Sequence, residues 1–170
     1  MVTTKPEFDF VFRIKKERYL VMSYLNNQLG YRDALLDTRS IIKKGDYIVL
    51  DPDGLVKNVV PGYENCDVTI LGSPAMGATF ADYLVHVHEG GKNTGIGGEG
   101  IESFLYVVDG ELSVKNDDQS AELTKGGYIY SPASNNITFE AKGEATLYVY
   151  RRRYEPVAGH SAHTVVGNAN

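Results

Sequence analysis

His86 and His88 stand two residues apart in a stretch, Thr79 to His88, whose apolar and polar residues alternate as in a β-strand. Side chains two apart on a strand leave from one face, so both imidazoles can reach a single divalent ion. The carboxylate that could join them is Glu102, beyond a segment packed with Gly90, Gly91, Gly95, Gly97, Gly98 and Gly100. A phosphate cradle offers backbone N–H groups at the start of a helix. Here Gly98-Glu99-Gly100 leads into the strand-like run Ile101 to Val108, so the segment reads as a flexible loop or an interface. His160 and His163 follow Pro156 and Gly159 and read as exposed or interfacial residues. Cys66 is the only cysteine, which excludes an internal disulfide and a thiolate zinc cluster and fits a reducing, cytoplasmic setting.

The elements that must position these residues are short strands separated by turns. Glu102 to Val108 is a β-rich run ending at Asp109-Gly110, a dipeptide that suits a tight hairpin turn, and a second run follows at once. Gly126-Gly127 then precedes Tyr128-Ile129-Tyr130 and Pro132. Further strands are expected at Ile41-Ile42, Tyr47 to Leu50, Leu55 to Val60, Asp67 to Leu71 and Ala145 to Arg153, with a turn at Asp51-Pro52-Asp53-Gly54. On the last of these strands Thr146, Tyr148 and Tyr150 share a face. Tyr31 to Leu36 suits a single helical turn. Strands and turn signals recurring at such short intervals predict an all-β fold, a small antiparallel jelly-roll barrel.

At 170 residues the chain has room for one domain with a real core. A formal net charge of −5 gives no electrostatic reason to expect nucleic acid or an anionic membrane. The one basic run, Arg151-Arg152-Arg153, falls at a strand end, where alternate side chains leave from opposite faces and form no single patch. It reads as solvated or as pairing at an interface. No apolar run approaches the roughly 20 residues that span a bilayer. Residues 1–21 hold an alternating stretch, Phe8 to Ile14, and the cluster Lys15-Lys16-Glu17-Arg18 shortly before Met22. Codons for that cluster are purine-rich, as a ribosome-binding site is, so the segment is either an upstream extension of a chain starting at Met22 or an edge strand.

The spacing of glycines and histidines resembles the cupins, whose barrel is a double-stranded β-helix. Their first motif runs G-x5-H-x-H-x3-4-E-x6-G and their second G-x5-P-x-G-x2-H. Counted back from Gly110, the glutamate position holds Ser103, and Glu102 lies one residue earlier, on the opposite face unless a bulge intervenes. Gly126 and Pro132 fit the second motif, but its histidine position holds Ile137. Two of four ligands are missing, so no metal-binding or cofactor-binding residue is assigned and the catalytic residues stay unknown.

Over a longer span, MSYLNNQLGYRDALL, PDGLVKNVVPGYENCDVTIL, GGEGIESFLYVVDGELSV, GGYIYSP and YRRRYEPV resemble the N-terminal half of the (S)-ureidoglycine aminohydrolase family, two-cupin enzymes of purine and allantoin breakdown. The resemblance includes the long Gly-rich insertion that ordinary cupins lack. It implies hydrolysis of ureidoglycine to ureidoglycolate and ammonia, with the catalytic manganese held by a second, C-terminal cupin and none expected on this chain. On this reading the chain divides into an extension, 1–21, an arm, 22–40, a cupin barrel, 41–155, and a tail or the start of an interdomain linker, 156–170.

Three functions follow. The first is a non-catalytic scaffold cupin whose partner is a second cupin domain or a homo-oligomer. The second is a self-sufficient metallocupin using His86, His88 and Glu102, with Glu102 turned inward at a bulge. The third is a small-molecule binding or dimerisation module that uses some of the twelve tyrosines at an interface.

Overall fold

The computed structural model of the chain describes residues 40–170. The expected helical turn at Tyr31 to Leu36, the alternating stretch Phe8 to Ile14 and the boundary at Met22 lie outside the described residues. Two compact units are distinguished, residues 1–41 with 49–54 and residues 42–48 with 55–170. In the first, Asp51 N–H donates to Ser40 Oγ at 3.3 Å, and Pro52–Gly54 forms a 3₁₀ turn closed by Gly54 N–H on Asp51 C=O at 2.9 Å. The first two strands, β1 (Ile41–Lys43) and β2 (Tyr47–Val49), make a two-stranded sheet of their own.

The second unit holds the barrel. Its strands are β3 (Lys57–Asn58), β4 (Tyr63–Gly72), β5 (Phe80–Asn93), β6 (Ile96–Gly97), β7 (Ile101–Asp109), β8 (Glu111–Lys115), β9 (Ser120–Thr124), β10 (Gly127–Ser131), β11 (Asn136–Glu140), β12 (Ala145–Arg153) and β13 (Val165–Asn168). They pair in the order β13-β10-β7-β12-β5-β11-β8-β9, with β4 also on β5, β3 on β4 and β6 on β11, and these pairings are antiparallel. This is the all-β, nearly closed jelly-roll barrel that the strand and turn spacing predicts. Residues 156–170, read as a tail from sequence, contain β13, whose Val166 pairs with Ile129 and packs on the core.

Alternation decides what fills the barrel. Val85 and Val87 of β5, Leu105 and Val107 of β7, and Leu147 and Val149 of β12 are all at most 1 % exposed, while the residues between them leave from the outer surface. Leu112, Val114, Ile129, Ile137 and Phe139 close the packing from the remaining strands. Each such side chain contributes on the order of 1.5–3 kcal/mol by leaving water.

Two turn readings change. Asp109-Gly110 does not close a hairpin, because β7 pairs with β10 and β12 whereas β8 pairs with β9 and β11. It is a corner that sends the chain into another part of the barrel. Gly110 has φ +84°, and a Cβ there would sit 2.5 Å from the Glu144 carbonyl. The Gly-rich segment is also largely strand, since β5 runs on to Asn93 and β6 follows. β5 turns at Gly90-Gly91, so that Val85 and Val87 pair with β12 while Lys92 pairs with β11. Opposite that bend Asn65 adopts φ +53°, which Asn tolerates better than most residues, and its amide donates to Glu89 C=O at 2.9 Å.

Candidate functional site

The barrel interior is where a metal would be sought, and it is packed with side chains that do not fit one. Ser103 points inward, 1 % exposed, and donates its hydroxyl to Ile96 C=O at 3.1 Å. Ile137 is fully buried in the core. Asn93, also buried, donates to Ile137 C=O at 3.1 Å and accepts Phe139 N–H at 2.6 Å, so its amide is used up holding β11. Among the described residues no three His, Cys, Asp or Glu side chains converge to hold a metal ion.

His86 and His88 do share a face, and it is the outer one, because Val85 and Val87 on either side of His86 fill the core. Their ring centroids lie 6.4 Å apart. Each is taken by a neighbouring strand: His86 Nδ1 lies 2.9 Å from Thr146 Oγ1, and His88 Nε2 lies 3.3 Å from Asp67 Oδ2. Lys57 Nζ donates to the same Asp67 oxygen at 2.5 Å. The hydrogen bond and charge of Lys57, joined by His88, hold the Asp67 carboxyl below the ordinary carboxylate range.

Glu102 turns outward as well, so β7 carries no bulge that would bring it to the interior. The shift in its register with β12 lies at Thr146/Leu147, far from Glu102. Through β12, His86 is level with Thr146 and Glu102 with Arg152. Six residues of strand, about 20 Å, separate those levels. His86, His88 and Glu102 therefore do not converge on one point, as the self-sufficient metallocupin reading requires.

Glu102 belongs instead to a small cluster on the outer face. It is 9 % exposed, accepts a hydrogen bond from Tyr130 Oη at 2.8 Å and pairs with Arg152 Nε. A pocket of about 300 Å³ opens beside it, walled by Phe104, Tyr130, Tyr148, Tyr150 and Arg152. Tyr148 donates to Asp82 Oδ2 at 3.0 Å, while Asp82 Oδ1 is buried without a hydrogen-bond partner. Burial, and then the carboxylate each hydroxyl faces, pushes both Tyr130 and Tyr148 up to about 12. Those phenols are hydrogen-bond donors at neutral pH. The guanidinium holds one carboxylate and the phenols hold their protons, which leaves the buried Asp82 Oδ1 as the unpartnered acceptor of the cluster.

Elsewhere, His160 and His163 are exposed. Cys66 is half-buried, and burial pushes its thiol up to about 11, which keeps it protonated and unreactive. A depression of about 520 Å³ over β8, β9 and β11 is lined by mixed charges, Lys92, Lys115, Glu122 and Glu140, with no converging set. Sequence reading assigns no role to Asn116, whose amide donates to Thr164 Oγ1 at 2.8 Å and so fixes the approach to β13. Asn116 Oδ1 also accepts the Asp118 and Gln119 N–H groups, at 3.1 and 2.9 Å. Its place just before Asp117-Asp118, between two strand runs, is the signal that could have found it.

No protein-family model matches the chain. A curated relative, (S)-ureidoglycine aminohydrolase of Escherichia coli, is 50% identical over 152 residues, which are 88% of this chain and 58% of the relative. The chain is a homologue of ureidoglycine aminohydrolase. It spans little more than half the length of that relative. The crystal structure of the E. coli protein Ylba superposes with a TM-score of 0.73 at 48% identity, covering 82% of this chain and 59% of Ylba. An RmlC-like cupin from Shewanella frigidimarina superposes at TM-score 0.52 and 15% identity over 61% of this chain and 88% of its own, a likeness of fold alone. The barrel of this aminohydrolase homologue is thus a cupin, and its His86 and His88 lie on the outer face. No helix among the described residues is long and apolar enough to cross a membrane.

Proposed function

We propose that this chain serves ureidoglycine hydrolysis as a scaffold cupin: it supports a catalytic cupin and does not itself perform the chemistry. The observation that carries the reading is the sealed interior. A homologue at 50% identity keeps the barrel, yet Ser103 and Ile137 occupy the places where ligands would stand, and both are buried in hydrogen-bonded or apolar packing. A metal-dependent hydrolase orients its substrate on the ion, and the described residues of this barrel offer no donor set to hold one. The catalytic manganese is accordingly assigned to a second cupin, the part of the aminohydrolase that this chain does not match. A single cysteine, Cys66, with no disulfide to form fits a reducing, cytoplasmic setting.

The test is ammonia release from ureidoglycine, with manganese added, by this chain alone and after mixing with the separately expressed remainder of the E. coli relative. The chain alone should not exceed the spontaneous rate, and mixing should raise the activity of the remainder. Metal-dependent turnover by the chain alone, lost in His88→Ala, would overturn the scaffold reading.

A further inference from the structure

The pocket of about 300 Å³ beside Glu102 is walled by rings whose positions are fixed before anything enters it. One cross-strand row runs Gly72, Asp82, Tyr150, Phe104 and Tyr130 through β4, β5, β12, β7 and β10. Tyr150 leans on Phe80 at 5.1 Å between ring centroids, and Phe104 on Tyr128 at 5.8 Å. The Tyr130 hydroxyl is held by Glu102, and that of Tyr148, in the next row, by Asp82. Walls that need no ordering lose little freedom when a ligand arrives.

The charge around those walls does not balance. Two carboxylates, Glu102 and Asp82, stand against one guanidinium, Arg152, which is already paired with Glu102. Asp82 Oδ2 accepts the Tyr148 hydroxyl, and Asp82 Oδ1 is buried with no hydrogen-bond partner. The fold makes room for that oxygen: β4 slips its register on β5 between Ile70 and Gly72, and a Cβ at Gly72 would stand 2.6 Å from it. Bulges recur beside functional sites, where they re-aim side chains. A buried acceptor without a donor costs stability, and its charge is weakly screened.

We propose that this pocket binds a small organic cation, an ammonium group on an apolar stem, seated against the rings of Tyr148 and Tyr150 and drawn by the charge of Asp82. Ring faces attract cations, and these two lining tyrosines are the ones that bond to Asp82 or pair across from it. An anion would meet two carboxylates there, with Arg152 already spent on one of them. A neutral molecule would gain the rings and nothing from the acid. The volume admits roughly ten non-hydrogen atoms at the ~30 Å³ each claims in a liquid, so phenethylammonium is a probe of fitting size. The inference goes beyond the scaffold role and stands or falls separately from it, because it is read from binding and not from turnover.

Calorimetric titration of the whole chain at neutral pH with phenethylammonium, 2-phenylethanol and 3-phenylpropionate compares one shape in three charge states. The ammonium should bind about tenfold or more tighter than the alcohol, and the carboxylate most weakly. Asp82→Asn, which keeps the shape and removes the charge, should bring the ammonium down to the affinity of the alcohol and leave the alcohol unchanged. Glu122→Gln on β9 should change neither. Far-UV circular dichroism establishes that each variant is folded. Should Asp82→Asn not be, the ranking of the three probes and the amide NMR shifts of the unaltered chain decide, with shifts expected in β5, β7 and β12 and not in β8 and β9. No ammonium binding at about 10 mM, a preference over the alcohol below tenfold, tighter binding of the carboxylate, undiminished binding in folded Asp82→Asn, or shifts centred on β8 and β9 overturns the proposal. Each of those results leaves the scaffold reading intact.

Discussion

Tyr130 donates its phenolic hydrogen to Glu102 at 2.8 Å, a bond that ties β10 to β7 on the outer face. Arg152 reaches the other carboxylate oxygen from β12, so one nearly buried acid fastens three strands. Removing it leaves a phenol and a guanidinium with no anion between them. Glu102→Ala should lower Tm by about 5 °C or more, whereas Tyr130→Phe, which keeps the ring, should lose only about 1 kcal/mol. Thermal melts of the two variants check the order. Equal losses would show that the Tyr130 hydrogen bond carries the whole contact and that Arg152 adds nothing to it.

The same geometry gives the protein an alkaline limit. Tyr130 and Tyr148 hold their protons to about 12 because burial and a facing carboxylate disfavour the phenolate. An unfolded tyrosine titrates near 10. With the folded value above the unfolded one, the stabilisation is complete below about pH 10 and is lost as pH rises through about 12. Burial pushes Tyr63 up as well, so absorbance titration at 295 nm should show all three among the late tyrosines, and Tyr130→Phe and Tyr148→Phe should each remove one of them.

The acid side has the opposite sign. Asp67 is held below the ordinary carboxylate value by Lys57 first and His88 second. A depressed folded pKa adds stability above the unfolded value of about 3.9, and that stability disappears as pH falls through the folded value. Lys57→Ala should move the acid unfolding midpoint upward, with a small loss of Tm at neutral pH that vanishes below the folded value, where the carboxyl is protonated in both proteins. An unchanged midpoint would mean that Asp67 titrates like any solvated aspartate, as exposed ion pairs commonly do.

Much of this is legible in the chain. Alternation places most of the barrel strands, and it puts Ser103 and Glu102 on opposite faces of β7. The pairing of His86 and His88 on one face is legible too. Which face they share is harder to see, although Val85 and Val87 around His86 hold that signal: apolar neighbours claim the core and push the imidazoles outward. The paired aromatics of Phe104-Leu105-Tyr106 and Tyr128-Ile129-Tyr130 could likewise have announced the outer face. Asp109-Gly110 misleads because turn chemistry is local and strand pairing is not. A dipeptide that accepts positive φ turns the chain, and only the rest of the sheet decides whether the next strand lies beside the last. The Gly-rich stretch misleads for a related reason: Gly90 and Gly91 serve a bend inside β5, where Gly91 passes close to Asn65 of β4.

That bend and the β7 corner separate two costs that glycine avoids. Gly90 has φ +74° with nothing within 4 Å of where a Cβ would stand, so an alanine there meets only the left-handed backbone penalty of roughly 1–2 kcal/mol. Gly110 has a similar φ, +84°, and a Cβ there would also press to 2.5 Å from the Glu144 carbonyl and 2.7 Å from Ala145 Cα. Backbone cannot step aside as a flexible side chain can. Gly110→Ala should therefore be distinctly more destabilising than Gly90→Ala, by about 1–3 kcal/mol of added overpacking. Chemical denaturation of both variants measures the difference directly. Equal losses would mean that the β12 entry at Glu144-Ala145 yields, and that the corner is held by its φ angle alone.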